Sequence, residues 1–141
     1  MGQVRVRYNQ NDVDNVRKML DVYRLNTVCS AASCPNMGEC FRRKTATFMI
    51  LGSQCTRNCR FCNIMNGDAE KGDPHEPEWR AQAAALMGLK HVVVTSVTRD
   101  DLKNGGAEQF AATIRALRHY SEDITVEVLI PDLRGSLEAL K

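Results

Sequence analysis

A rhythm across residues 45–141 does most to limit how this chain can fold. The stretches "TATFMILG" (45–52), "HVVVTSV" (91–97) and "ITVEVLIP" (124–131) are short, apolar and β-branched. Between them lie "PEWRAQAAALMGL" (77–89) and "GGAEQFAATIRALRHY" (105–120). The first group has the length and composition of buried strands, the second the length of helices. Pro77 suits a first helical turn and Gly88 a helix end, while Phe110, Ile114 and Leu117 make an apolar stripe. Strand–helix–strand–helix–strand predicts parallel strands joined by right-handed crossovers, an α/β fold. The final "RGSLEALK" reads as a helix just beginning. Three parallel strands with barely two helices leave one edge bare and one face half covered. That predicts the front part of a larger α/β protein in preference to a complete three-stranded domain.

Ahead of the rhythm, residues 11–25 place Val13, Val16, Leu20 and Tyr23 at helical spacing, with Asn11 or Asp12 as N-cap. Residues 26–44 read as irregular, cysteine-bearing chain, and "NGDAEKGDPHEP" (66–77) as a turn-rich loop. The expected division is therefore an N-terminal helix and cysteine segment, 1–44, followed by the α/β unit, 45–141. With 43% apolar and 26% charged residues the composition is that of a globular protein. No apolar run approaches the roughly 20 residues needed to span a bilayer, and "MGQVRVRYNQND" lacks the apolar core of a secretory signal. A cytoplasmic location is expected, with the six cysteines as thiols or metal ligands and not disulfides. Net charge is only +2, which gives no support for nucleic-acid binding. The charge is uneven: ten Lys/Arg against four Asp/Glu in residues 1–60, then nine against thirteen in 61–141.

The cysteines fall in two trios. Cys55, Cys59 and Cys62 form C-x3-C-x2-C in "CTRNCRFC", directly after the first predicted strand, where active sites of α/β proteins lie. A structural zinc site would want a fourth Cys or His, and the nearest downstream candidate, His75, is thirteen residues on. A [4Fe–4S] cluster held by three thiolates keeps one iron open for another ligand. The other trio, first in chain order, is Cys29, Cys34 and Cys40, which forms C-x4-C-x5-C in "CSAASCPNMGEC". A seven-residue strand between the trios spans roughly 23 Å, so they are read as two sites.

These residues carry a resemblance. C-x3-C-x2-C with aromatic Phe61 before its last cysteine resembles the radical S-adenosylmethionine enzymes. Together with "CPNMGEC", "VVVTSVTRDDL" (92–102), "GGAEQFAATI" (105–114) and "VEVLIPDLRG" (126–135), it is similar to the lipoyl synthases. The resemblance runs from about Thr27 to Gly135. It implies the front of a (β/α)6 partial TIM barrel, with about three strands present and a cysteine-bearing N-terminal extension. It also implies two [4Fe–4S] clusters: a radical-generating one on Cys55, Cys59 and Cys62, with S-adenosyl-L-methionine on its open iron, and an auxiliary one on Cys29, Cys34 and Cys40. The implied reaction inserts two sulfurs, at C6 and C8 of a protein-bound octanoyl chain, with the auxiliary cluster as sulfur source.

The same resemblance implies an octanoylated lipoyl carrier domain or H protein as substrate and a ferredoxin- or flavodoxin-type electron donor. It places the adenine near Phe61 and the amino-acid end of the cofactor near Thr95 and Ser96. Asp101 and Gly105 have two readings, as pocket residues or as turn and cap residues of the next helix. Arg57 and Arg60 likewise read as offsetting thiolate charge, as meeting an acidic carrier, or as solvated. His75, His91 and His119 read as surface or strand-edge residues, and Met49, Met65 and Met87 as packing. The sulfur-donor role further predicts that residues 29–40 fold back over the carboxyl ends of the strands. The family draws a fourth auxiliary ligand from a serine in an R-S-S-Y motif, which is absent from residues 1–141. Turnover by these residues alone is therefore not expected. The competing readings are a biotin-synthase-like sulfur-inserting enzyme, a non-catalytic iron–sulfur electron-transfer module, and a zinc-binding structural domain.

Overall fold

The computed structural model describes residues 10–22, 27–31, 34 and 36–141. Three parallel strands, β1 (Thr45–Ile50), β2 (His91–Ser96) and β3 (Thr125–Leu129), form one sheet in the order β1-β2-β3. The register sets Ala46 against Val92 and Val126, and Phe48 against Val94 and Val128. Ahead of β1 come α1 (Gln10–Val22), α2 (Val28–Ala31) and α3 (Met37–Arg42). The crossovers are α4 (Glu76–Leu86) and α5 (Ala107–Tyr120), and the chain continues through a 3-10 turn (Leu133–Gly135) into α6 (Leu137–Leu140). The expected alternation is thus present, with boundaries shifted by a few residues.

Two expectations upstream of β1 change. Residues 26–44 are not wholly irregular: α2 and α3 lie within them. Helices of four and six residues are too short to display an apolar periodicity, so nothing marked them in the sequence. In α1, Leu20 is buried as its spacing predicted, whereas Tyr23 and the side chains of Val13 and Val16 lie outside the described residues.

The core forms where α4 and α5 pack on each other and on the sheet. Phe48, Val92 and Val94 are fully buried, and the small residues Ala81, Ala83 and Ala84 bring α4 close. Glu76 and Glu78 sit in the first turn of α4 beside Pro77, where the helix dipole favours negative charge. Burial declines across the sheet. β1 is largely enclosed, whereas β3 has Val128 and Leu129 exposed and, among the described residues, no strand on its outer edge.

A charged side chain is part of this core. Arg80 of α4 is only 1% exposed; its guanidinium carbon lies 5.8 Å from the centre of the Phe48 ring. Its Nη2 donates to the Met49 carbonyl at 2.7 Å and to Glu76 Oε1 at 2.6 Å. Burial pushes the guanidinium pKa down, and Glu76 opposes that shift. Replacing Arg80 with alanine removes a side chain packed between α4 and β1 and both of these bonds. The expected cost is about 3 kcal/mol of unfolding free energy, measured by equilibrium urea denaturation. An unchanged midpoint would contradict this role.

Candidate functional site

β1 ends at Ile50, and the next two residues turn the chain sharply: Leu51 has φ +67° and Gly52 φ +94°. Such values strain a leucine, so something must hold it. Leu51 N–H donates to Glu76 Oε2 at 3.1 Å, and its carbonyl accepts from Arg99 Nη1 at 2.9 Å. Its side chain lies over Gly106, where a Cβ would come 2.2 Å from Leu51 Cδ1. Gly106 (φ +94°) is also the N-cap of α5. For the Gly105–Gly106 pair the structure therefore shows a packing and capping role. Arg99, itself 4% exposed, is gripped in turn by Asp101 through two bonds of 2.9 and 2.8 Å. Asp101 thus supports the turn after β2, and this fork holds its carboxyl below the usual carboxylate range.

The turn delivers the second cysteine trio to the carboxyl ends of the strands. Cys55 is buried and bridges Asn66, with Cys55 N–H to the Met65 carbonyl at 3.0 Å and Gly67 N–H to the Cys55 carbonyl at 3.2 Å. Its Sγ accepts the Thr98 N–H at 3.3 Å. Thr56 is pinned through its N–H and hydroxyl to the Thr98 carbonyl, at 3.1 and 2.9 Å. Arg57 reaches Asp100 and Asp132, each at 2.8 Å. Cys59 and Cys62 are exposed and joined by a turn, Cys62 N–H to the Cys59 carbonyl at 3.1 Å. Phe61 between them is 94% exposed. Beside this loop, Glu70 accepts both the N–H and the hydroxyl of Ser53, at 2.9 and 2.6 Å, which holds its carboxyl below the ordinary range.

Thr95 and Ser96, at the carboxyl end of β2, differ from each other. The Thr95 hydroxyl donates to the Leu129 carbonyl at 2.8 Å, so it is engaged within the sheet. The Ser96 hydroxyl is buried with no hydrogen-bond partner among the described residues, an orphaned polar atom at a strand end.

The first trio lies elsewhere. Thr27 forms an antiparallel bridge with Phe48, so the chain doubles back along β1 before α2. Cys29 consequently lies at the level of Thr47, whose backbone amide it meets. Cys34 N–H closes a turn onto the Cys29 carbonyl at 2.8 Å, and α3 carries Cys40. Burial pushes the Cys29 thiol up, and the charges of Cys34 and Cys40 add to the shift. The segment does fold back, but Cys29 flanks the middle of β1 instead of lying over the carboxyl ends. The physical reason is the edge pairing of Thr27 with Phe48, which takes up the free side of β1.

All six cysteines are free thiols. Among the described residues no group of three or more His, Cys, Asp or Glu side chains is already gathered as a metal cage. The donor chemistry suits a thiolate-held centre, and the exposed Cys59–Cys62 arm follows the anchored Cys55 within seven residues of chain. Sequence reasoning missed the acidic partners, Asp100 and Asp132 for Arg57, and Glu76 with Arg99 around Leu51. Of these, Arg99 and Asp100 lie in "TRDDL", directly after a strand, whereas Glu76 and Asp132 lie far from it in sequence.

No protein-family profile matches the chain. Curated relatives do. It is 53% identical over 138 residues to the lipoyl synthase of Caldanaerobacter subterraneus, covering 98% of this chain and 48% of that protein. It is 56% identical over 126 residues to the lipoyl synthase of Aquifex aeolicus, covering 89% and 46% respectively. For that of Nitratidesulfovibrio vulgaris the figures are 58% over 127 residues, 90% and 43%. The chain spans a little under half the length of these relatives. Along nearly all of its own length, it is homologous to the lipoyl synthases.

Proposed function

We propose that these residues are the part of a lipoyl synthase that carries both of its cysteine trios. The carrying observation is that C-x4-C-x5-C and C-x3-C-x2-C occur together in a chain matching lipoyl synthases over nearly its whole length. In this reading the three strands are the front of a (β/α)6 partial TIM barrel, and the protein works in the cytoplasm. Cys55, Cys59 and Cys62 hold one [4Fe–4S] cluster and Cys29, Cys34 and Cys40 a second, auxiliary one. When bound, the clusters and S-adenosyl-L-methionine would supply a carbon-centred radical and the sulfur for two insertions, at C6 and C8 of an octanoyl chain on a lipoyl carrier domain or H protein. A ferredoxin- or flavodoxin-type donor would supply electrons.

The chain's own groups have separable tasks in this scheme. Leu51, clamped by Glu76 and Arg99, sends the cysteine loop off the strand end at a set angle. Thr98 N–H steadies the Cys55 sulfur. The orphaned Ser96 hydroxyl suits the polar amino-acid end of the cofactor, and exposed Phe61 offers an apolar surface to its adenine. The pairing of Thr27 with Phe48, just ahead of Cys29, is what supports a second centre built beside β1.

Anaerobic reconstitution with iron and sulfide is expected to load about eight irons per chain, two clusters' worth. Replacing Cys55, Cys59 and Cys62 by alanine should remove about half, and replacing Cys29, Cys34 and Cys40 the other half. A colourless protein loaded with zinc would point to the structural-domain reading instead. Residues 1–141 supplied with S-adenosyl-L-methionine, reductant and octanoylated carrier are expected to form no lipoyl product, because no R-S-S-Y segment is among them. Mass spectrometry showing product would refute that expectation.

A further inference from the structure

Arg57 stands inside C-x3-C, two residues after Cys55 and two before Cys59. All of its described side-chain hydrogen bonds go to carboxylates of the chain itself. Nε and Nη2 form a fork on Asp100, in the loop after β2, at 2.8 Å each. Nη1 and Nη2 reach Asp132, just after β3, at 2.8 and 3.3 Å. Asp132 is itself oriented, accepting Arg134 N–H at 3.1 Å. One guanidinium therefore joins the cysteine loop to the carboxyl ends of both other strands, a planar geometry that lysine cannot reproduce.

The clamp divides the loop. Before it, Cys55 and Thr56 are fixed by backbone and side-chain bonds to Met65 and Thr98. After it, residues 58–63 are exposed, and the bond that relates Cys59 to Cys62 is a local turn. The far end of this arm is tied back to Cys55 through residues 65–67, so its near end, and with it the path of residues 58–63, depends on where residue 57 is held. Exposed ion pairs add little stability one by one, so the value of this one lies in geometry: two carboxylates from two elements on one side chain.

We propose that the Arg57–Asp100–Asp132 clamp is a positioning device that sets the Cys59–Cys62 arm against Cys55, so that three thiols reach one bound centre. Its use in catalysis rests on the lipoyl synthase reading, whereas the clamp and its effect on the thiols do not.

The test uses the 141-residue chain with Cys29, Cys34 and Cys40 replaced by alanine, and cobalt(II) as a probe whose thiolate charge-transfer bands report the second trio alone. The variants are R57Q, R57K and D132N. Cobalt affinity is expected to fall about tenfold in R57Q and R57K, and less in D132N, which keeps the Asp100 fork. Without metal, amide exchange at Cys55 and Thr56 should accelerate in R57Q while the β1 and β2 amides keep their protection, showing that the sheet is intact. If R57Q fails to fold, D132N carries the comparison. Unchanged cobalt affinity overturns the proposal, even where exchange accelerates, and so does unchanged exchange. Failure of iron reconstitution in the unmodified chain would instead count against the cluster reading and leave the cobalt result to decide the clamp.

Discussion

The site depends on how one strained residue, Leu51, is held. A leucine at φ +67° costs free energy of order 1 kcal/mol or more and persists only where its surroundings insist on it. Here Glu76, from the start of α4, takes its N–H, and Arg99, from beyond β2, takes its carbonyl. Gly106, at the start of α5, leaves room for its side chain. Three elements distant in sequence thereby meet at the point where β1 becomes the cysteine loop. Buried charges are costly unless paired, and each is: Arg99 with Asp101, Arg80 with Glu76.

The two cysteine trios sit in different environments because different parts of β1 present them. The second leaves the carboxyl end of the strand on a loop tied to the ends of β2 and β3, with Cys55 anchored and the other two thiols open to solvent. The first is folded along the strand's free edge by the pairing of Thr27 with Phe48. There the half-buried Cys29 feels both desolvation and its neighbours' charge. A bound cation would relieve both effects, which is the physical sense in which this segment suits a metal centre.

The strands and crossovers were legible because their signals are local. "HVVVTSV" is a short β-branched apolar run, and α5 carries Phe110, Ile114 and Leu117 on one face; Val92, Val94, Phe110 and Leu117 are buried and Ile114 half-buried. The cysteine spacings were legible for the same reason, since a short loop keeps its ligands together whatever the rest of the chain does. The helices α2 and α3 were not, being shorter than the period that would reveal them. Nor was the task of Arg57. From the sequence it read as counter-charge, docking residue or solvated side chain, and its partners lie 43 and 75 residues away.

By itself, the sequence determined the parallel α/β alternation, the two trios and their thiol chemistry, and the homology to lipoyl synthases. All of these are carried by residue type at short range. Only the tertiary structure decided that the chain doubles back on β1 through Thr27 and Phe48, which leaves Cys29 beside the strand. It alone showed that Gly105–Gly106 accommodates Leu51 and Leu133, and that Arg57 joins three strand ends. These outcomes rest on contacts between distant segments, which exist only once the parallel register brings the ends of β1, β2 and β3 side by side.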